Sequence, residues 1–371
     1  MLATTDADLK LESRPAPGTV IAYKELPVIF FKKQWGNSFK YSRPFSQWLE
    51  GNVADYDVVH IHAVFNHACI AAARAARKQG IPYIIRPLGT LTPWGMGQKS
   101  LRKRVFWHGG IENIVRNAAA IHYTSVTEQQ TVEASLGLNH GFVVPLGVDL
   151  SLTQAAPITR DSVAQLSSLQ GHPYVLVLSR LLPTKGIDVL LDAFLSLARQ
   201  SEFSDWRLVL AGEGPADYVG SLKTTVARMN AVDRVFFPGW INGETKAAVL
   251  QNASILALPS YHENFGLCVI EALASGVPVL ISPHVSLAPE IEAAGAGWIA
   301  AVEPHSLEAT LTQALQLDEE RQRRGQAGRD LSLKFSWNNI GAGLIDMYSS
   351  VLNRKPQVQE NPELMSTNIG Q

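Results

Sequence analysis

What most constrains this chain is the order in which apolar runs and helix-like stretches follow one another. Asp57–Ala63 (DVVHIHA) reads as a buried strand, Asn66–Gln79 as an Ala-rich helix, and Ile81–Arg86 as another strand. The alternation resumes at Tyr174–Leu178, a continuous apolar run that has to be a buried strand, and continues through Arg207–Ala211, Val235–Phe237, Ser254–Leu258 and Pro278–Ile281. Strands that are apolar throughout and alternate with helices build parallel sheets with helices on their faces, so the expected fold class is α/β. Ligands of such sheets bind at the carboxyl ends of the strands. That rule puts His62, Phe65, Asn66, Arg86 and the loop Pro87–Gly97 on a functional rim in the first half.

Between the two runs, Thr153–Gly171 is rich in Ala, Ser, Gln and Thr and has no period, which marks a domain boundary. With 371 residues, 46% of them hydrophobic, the chain has material for two domains with a core each. The expected organisation is a first domain over 1–150, a linker over 151–172, a second domain over 173–335, a last helix over 336–354 and a disordered tail over 355–371. The opening is the least regular part: MLATTDAD reads as the tail of a strand and a polar loop, and Thr19–Phe31 is strand-like around Pro27. Ser125 followed by Glu128 predicts a capping box ahead of a helix that ends near Leu136.

Composition removes several classes. The two cysteines, Cys69 and Cys268, both lie in apolar stretches, which argues against a disulfide framework and for a reducing compartment. No run of 18 apolar residues occurs and no charged-then-apolar leader opens the sequence, so neither a membrane span nor a signal peptide is expected. Net charge is −1, yet residues 1–150 carry 16 Lys and Arg against 11 Asp and Glu, and the remainder 16 against 22. No aromatic-and-basic RNA motif or recognition-helix pattern accompanies the basic half, so nucleic acid is not expected as a partner. Gln98–Ala119 sets Lys99, Arg102, Lys103 and Arg104 beside Leu101, Val105, Phe106, Trp107 and Ile111. On one helix this is either a stripe for an anionic membrane surface or a solvated face above a packed one.

The chemistry concentrates in Leu258–Val277 (LPSYHENFGLCVIEALASGV). A strand ends, a polar loop follows, and a helix opens near Gly266 and stops at Gly276. A helix start presents unpaired N–H groups and the positive end of its dipole, a seat for phosphate. Glu263 is held in the loop and Glu271 lies about a turn and a half into the helix. Earlier, Ser179–Gly186 (SRLLPTKG) places one guanidinium and one ammonium after a strand, enough positive charge for a diphosphate without a metal. The turn Gly212-Glu213-Gly214-Pro215 lacks the third glycine of a dinucleotide fingerprint, which excludes the dehydrogenase reading.

The pair Glu263 and Glu271, flanked by Phe265-Gly266 and Ala274-Ser275-Gly276-Val277-Pro278-Val279, resembles the donor-site signature of the family 4 retaining glycosyltransferases. Arg180 with Lys185-Gly186, the Gly212–Pro215 turn, Pro238–Ile241 and Pro145–Leu150 (PLGVDL) extend the resemblance across both halves. It implies the GT-B fold, two Rossmann-like domains facing across a cleft, with the last helix crossing back to pack on the first domain. It implies a glycosyltransferase that moves a sugar from a nucleoside-diphosphate sugar to an acceptor hydroxyl with retention. Surface polysaccharide, lipopolysaccharide or glycolipid biosynthesis is the expected context. Carried over residue by residue, it makes Glu263 catalytic and makes Arg180, Lys185, Gly212, Glu213, Gly239, Ile241, Asn264, Phe265, Gly266 and Glu271 donor-binding. No cofactor and no metal are expected, since the donor half has neither an Asp-x-Asp at a strand end nor a His/Cys cluster with ligand spacing.

The sequence departs from the family in two places. Where relatives carry a loop histidine this chain has Arg86-Pro87-Leu88-Gly89, so His62 is the candidate for that role, with a strand-end structural histidine as the other reading. The chain also enters at what resembles the family's second strand, without the usual first strand and glycine-rich loop, so the first domain is expected to be incomplete. Translation from an upstream start is expected; a non-catalytic, nucleotide-sugar-binding or partner-binding remnant is the alternative. A cytoplasmic protein is expected, with peripheral contact at the inner membrane face through the 98–119 segment kept open. Base, sugar, acceptor and linkage are not encoded in any of these motifs.

Overall fold

The computed structural model describes residues 1–6, 16, 18–23, 25–98, 100–150, 169 and 171–353. The expected linker and tail therefore fall almost wholly outside the described residues. The chain forms two compact units: Met1–Arg86, Phe106–Ile121 and Leu344 onward make the first, and Pro87–Val105 with His122–Gly343 the second.

In the first unit, β1 (Leu2–Thr5) lies parallel to β3 (Leu26–Phe31), which pairs antiparallel with β2 (Val20–Tyr23). The stretch around Pro27 is thus a hairpin. Ser42 opens the helix Arg43–Asn52 by accepting the Phe45 N–H, and Phe45 and Leu49 form its buried stripe. β4 (Val59–His62) and β5 (Tyr83–Arg86) run parallel, joined by the helix His67–Lys78, which Asn66 caps at the Cys69 N–H. β6 (Ala120–Tyr123), whose first two residues belong to this unit, continues the sheet beside β5; β7 (Gly141–Val143), which belongs to the second unit, ends the order β4-β5-β6-β7. The strands thus fall into two sheets, with β1 at the end of one and β4 at the end of the other. The last helix, Trp337–Asn353, reaches this unit through its final turns, where Tyr348 Oη and His60 Nδ1 are 2.8 Å apart.

The expected helix over 98–119 is broken. Ser100–Phe106 is helical, 107–111 is a wide π turn in which Gly110 has φ +126°, and Glu112–Arg116 resumes the helix. Two adjacent glycines, Gly109 and Gly110, cost the segment its helical continuity. The stripe divides with it: Trp107 and Ile111 are buried, whereas Leu101 and Val105 are 77% and 66% exposed beside exposed Arg102 and Arg104. No helix among the described residues is long and apolar enough to cross a membrane.

The second unit holds the longer sheet: β8 (Tyr174–Leu178), β9 (Arg207–Ala211), β10 (Val235–Gly239), β11 (Ile255–Leu258), β12 (Val279–Ile281) and β13 (Gly297–Ile299). All pairs are parallel and the spatial order is β10-β9-β8-β11-β12-β13. This is the doubly wound order, with the strand sequence reversing between β8 and β11. The two-residue period sorts the core. Tyr174, Leu176, Leu256 and Leu258 pack on one face with Val269, Ile270 and Leu273 of the helix Leu267–Ala274. Val175, Val177, Ile255 and Ala257 pack on the other with Ile187, Leu190, Leu191 and Phe194 of the helix Ile187–Leu197. Each Val, Leu, Ile or Phe among these contributes about 1.5–3 kcal/mol on burial, so both helices are pinned to the sheet and their first turns are fixed at its carboxyl edge.

Candidate functional site

The reversal point between β8 and β11 is where the carboxyl ends of two neighbouring strands send their loops to opposite sides, leaving a crevice. In the second unit that crevice is a pocket of about 730 Å³. Its walls are Leu178–Arg180 and Lys185 after β8, Gly212 after β9, Trp240–Gly243 after β10, and Glu263–Cys268 after β11.

Main-chain contacts fasten these loops to one another. Leu181 N–H donates to the Glu213 carbonyl (2.8 Å), Gly212 N–H to the Gly239 carbonyl (2.8 Å), and Tyr261 N–H to the Thr184 carbonyl (2.9 Å). Two glycines permit the approach. Gly212, at φ +143°, lies so close to the Ser179 carbonyl oxygen that a Cβ would overlap it. Gly186, at φ +62°, has the Pro259 carbonyl oxygen where a Cβ would stand. Backbone contacts thus hold the Arg/Lys loop against the glutamate loop.

That clasp sets the charged groups. Lys185 is 9% exposed, and its Nζ lies 2.5 Å from Glu263 Oε2. Glu263 is itself fixed by a bridge to Val285, its N–H donating to the His284 carbonyl and its own carbonyl accepting from Ser286 N–H, both at 3.0 Å. Glu271 is the fifth residue of the helix that begins after Gly266, and its Oε1 lies 2.6 Å from Lys246 Nζ. Arg180 is exposed at the mouth. Asn264 spans toward Thr124, its Nδ2 donating to Oγ1 at 3.0 Å, while its Oδ1 is buried without a hydrogen-bond partner. Thr124 belongs to a second cluster: Glu128, 1% exposed, accepts from Thr124 N–H and Oγ1 (both 2.8 Å) and from Gly89 N–H (2.6 Å). The expected capping box is thus half made. Ser125 Oγ does accept the Glu128 N–H at 3.0 Å, but the carboxylate turns away to tie the Pro87–Thr92 loop to β6.

Of the residues singled out in the sequence, Arg180, Lys185, Gly212, Ile241, Glu263, Asn264, Phe265, Gly266 and Glu271 all line this pocket. Glu213 and Gly239 do not; each braces the wall through the carbonyl bonds above. Phe265 is 2% exposed and packs edge-on to Phe335, so its side chain serves the core. Asp149, from the PLGVDL segment, lines the pocket as well, and so does Lys246, which no sequence motif singles out. No spacing rule reaches Lys246, because its partner lies 25 residues away on another βα unit.

Comparison with known proteins agrees over both halves. The family described as Glycosyl transferase 4-like domain matches residues 4–147, and that described as Glycosyl transferases group 1 matches residues 159–331. The chain belongs to the family 4 glycosyltransferases. It is 32% identical over 216 residues to the D-inositol 3-phosphate glycosyltransferase of Nocardia farcinica, covering 57% of this chain and 47% of that one. It is 29% identical over 227 residues to the phosphatidyl-myo-inositol mannosyltransferase of Mycobacterium tuberculosis, covering 58% and 56%. The chain thus spans about half the length of these curated relatives. Anabaena HepE, solved in complex with UDP and glucose, superposes with a TM-score of 0.72 at 21% identity over 88% of this chain and 87% of that one. The fold is GT-B, built from Rossmann-like parallel-sheet domains.

His62, the remaining candidate of this family member, lies in the first unit at the end of β4 and lines a pocket of about 870 Å³ there. The residue is exposed overall, yet its ring lies against the pocket wall, 4.7 Å from the His60 ring. Desolvation first, and the Arg86 charge second, lower its pKa below the usual 6.5. The ring is therefore mainly neutral at pH 7, the form that can accept a proton. Cys69 Sγ donates to the His62 carbonyl at 3.1 Å, and Asn66 shares the same pocket.

Proposed function

We propose that the chain transfers a sugar from a nucleoside-diphosphate sugar to an acceptor hydroxyl with retention, in surface polysaccharide or glycolipid biosynthesis. The observation that carries the proposal is the convergence of Arg180, Lys185, Glu263, Gly266 and Glu271 on one pocket at the strand reversal. In this reading the leaving diphosphate gains charge in the transition state, and Arg180, Lys185 and the N–H groups at the helix start meet it with preorganised positive potential. Glu271 accepts the ribose hydroxyls, and Glu263 holds the sugar hydroxyls near the reacting carbon. His62 is the candidate group on the acceptor side. HepE being solved with UDP and with UDP-glucose supports a nucleoside-diphosphate donor for this chain too. No metal or cofactor enters the scheme.

We place the protein in the cytoplasm, with a peripheral membrane contact through exposed Leu101, Arg102, Arg104 and Val105. Sedimentation with anionic liposomes tests that contact, and binding that does not weaken with salt or with charge reversal of Arg102 and Arg104 refutes it.

A thermal-shift screen of UDP-, GDP- and ADP-sugars identifies the donor, since a ligand that binds only the folded state raises its melting temperature. Transfer with the selected donor should vanish in Glu263→Ala. Unaltered turnover in that variant removes the assignment. The alternative, binding of a nucleotide sugar or a partner without transfer, draws on the separation of β1-β3-β2 from the sheet that holds β4 and β5. A donor that shifts the melting temperature but is never turned over, with any acceptor or with water, supports it.

A further inference from the structure

We propose that Lys246 is a positioning residue for Glu271, and that through it the pocket prefers a nucleotide whose ribose carries both hydroxyls. The inference rests on the donor-site reading above.

Lys246 lies on the helix Gly243–Gln251 after β10, and Glu271 on the helix Leu267–Ala274 after β11, so two separate βα units bring the pair together. Its ammonium is 2.6 Å from Glu271 Oε1, both side chains line the pocket, and they are 31% and 20% exposed. The pair is only partly buried, and its contribution to stability is modest. Its effect is geometric. An unpaired glutamate distributes itself over several rotamers and loses that freedom on binding. Anchoring Oε1 to Lys246 fixes the carboxylate plane and leaves the lone pairs of Oε2 to accept from a ligand. An ionised carboxylate only accepts, so its complement is a group with two adjacent O–H donors, as a ribose provides.

A site built to bond a hydroxyl penalises the analogue that lacks it, because a desolvated acceptor is left unpaired. That penalty requires the acceptor to be held in place. Without Lys246 the carboxylate can turn to water in either complex, and the penalty shrinks.

The test is titration calorimetry of the full chain with UDP, GDP and ADP and their 2′-deoxy and 3′-deoxy counterparts, comparing the unmodified protein with Lys246→Met and Lys246→Arg. The unmodified protein should favour the ribonucleotide, and Lys246→Met should cut that preference about tenfold, the loss of one hydrogen bond to a charged group. Lys246→Arg should restore the preference. In a Glu271→Gln background the Lys246→Met effect should disappear. If Lys246→Met binds the ribo and deoxy forms with the original ratio, the positioning role is overturned while the donor site stands. If none of the nucleotides binds the unmodified protein, the donor-site reading falls and takes this inference with it. Thermal melts of each variant separate a folding defect from a change in preference, because a fold defect weakens ribo and deoxy forms alike.

Discussion

Replacing Lys185 by Met tests whether the ion pair in the pocket is structural as well as functional. The Lys185 side chain is 11% exposed, and its ammonium is 2.5 Å from a carboxylate whose side chain is 22% exposed. Breaking a fully buried pair costs about 3–5 kcal/mol, because the surviving charge keeps its desolvation penalty without its partner. Glu263 retains some contact with water, so the expected loss here is smaller, about 1–3 kcal/mol. At about 2 kcal/mol per molar of urea, the unfolding midpoint of the donor unit should fall by roughly 0.5–1.5 M. Arg180→Met provides the contrast: its side chain is exposed, and the change should stay within about 0.5 kcal/mol. For nucleoside-diphosphate binding the two should behave alike, each losing a charge-assisted hydrogen bond of about 1.5–3 kcal/mol, roughly ten- to hundredfold in Kd. The double variant Lys185→Met/Glu263→Gln should recover most of the stability and none of the affinity. Equal urea midpoints for Lys185→Met and Arg180→Met, or a double variant no more stable than Lys185→Met, would refute the argument.

Gly212→Ala should lose about 2–4 kcal/mol in urea unfolding, because it combines φ +143° with overlap on the Ser179 carbonyl. Gly220→Ala, in the helix Ala216–Arg228 with open space around it, should instead gain about 0.5–1 kcal/mol. Glu128→Gln puts an NH2 group opposite one of the N–H donors now held by the carboxylate, so the melting temperature should drop as about 1–3 kcal/mol of pairing is lost. His62, His67 and His262 have pKa values below 6.5: burial is the first cause at each, followed by Arg86 at His62 and Arg74 at His67. At His262, Lys185 and His284 add to burial and Glu263 opposes it. The unfolded chain then binds more protons than the folded one, so stability is full above about pH 6.5 and falls as pH drops through the folded values. Melting temperatures flat between pH 7.5 and 5.5 would contradict this.

The donor half was legible because its signals are local. A continuous apolar run identifies a buried strand, the glycine after it a tight exit, and the glutamate spacing a loop-to-helix passage. What remained hidden depends on pairing across βα units. Lys246 meets Glu271 only because β10 and β11 end on the same edge of the sheet. Glu128 is read as a capping residue by any local rule, and only the arrival of the Gly89 N–H from another loop turns its carboxylate. The segment 98–119 failed for a different reason: its apolar and basic periodicity is helical, but Gly109 and Gly110 interrupt it with a φ that no amphipathic pattern encodes.

The main-chain clasp around the pocket has a consequence for how this protein can change. The bonds Leu181 to Glu213, Gly212 to Gly239 and Tyr261 to Thr184 use no side-chain atoms, so replacements along these loops leave them intact unless a proline or a lost glycine intervenes. Trp240, Asn242 and Leu267 therefore stand on a chassis that does not depend on them. Saturation libraries at those three positions should return mostly folded proteins with altered ligand choice, whereas the same effort at Gly186 or Gly212 should return mostly unfolded ones.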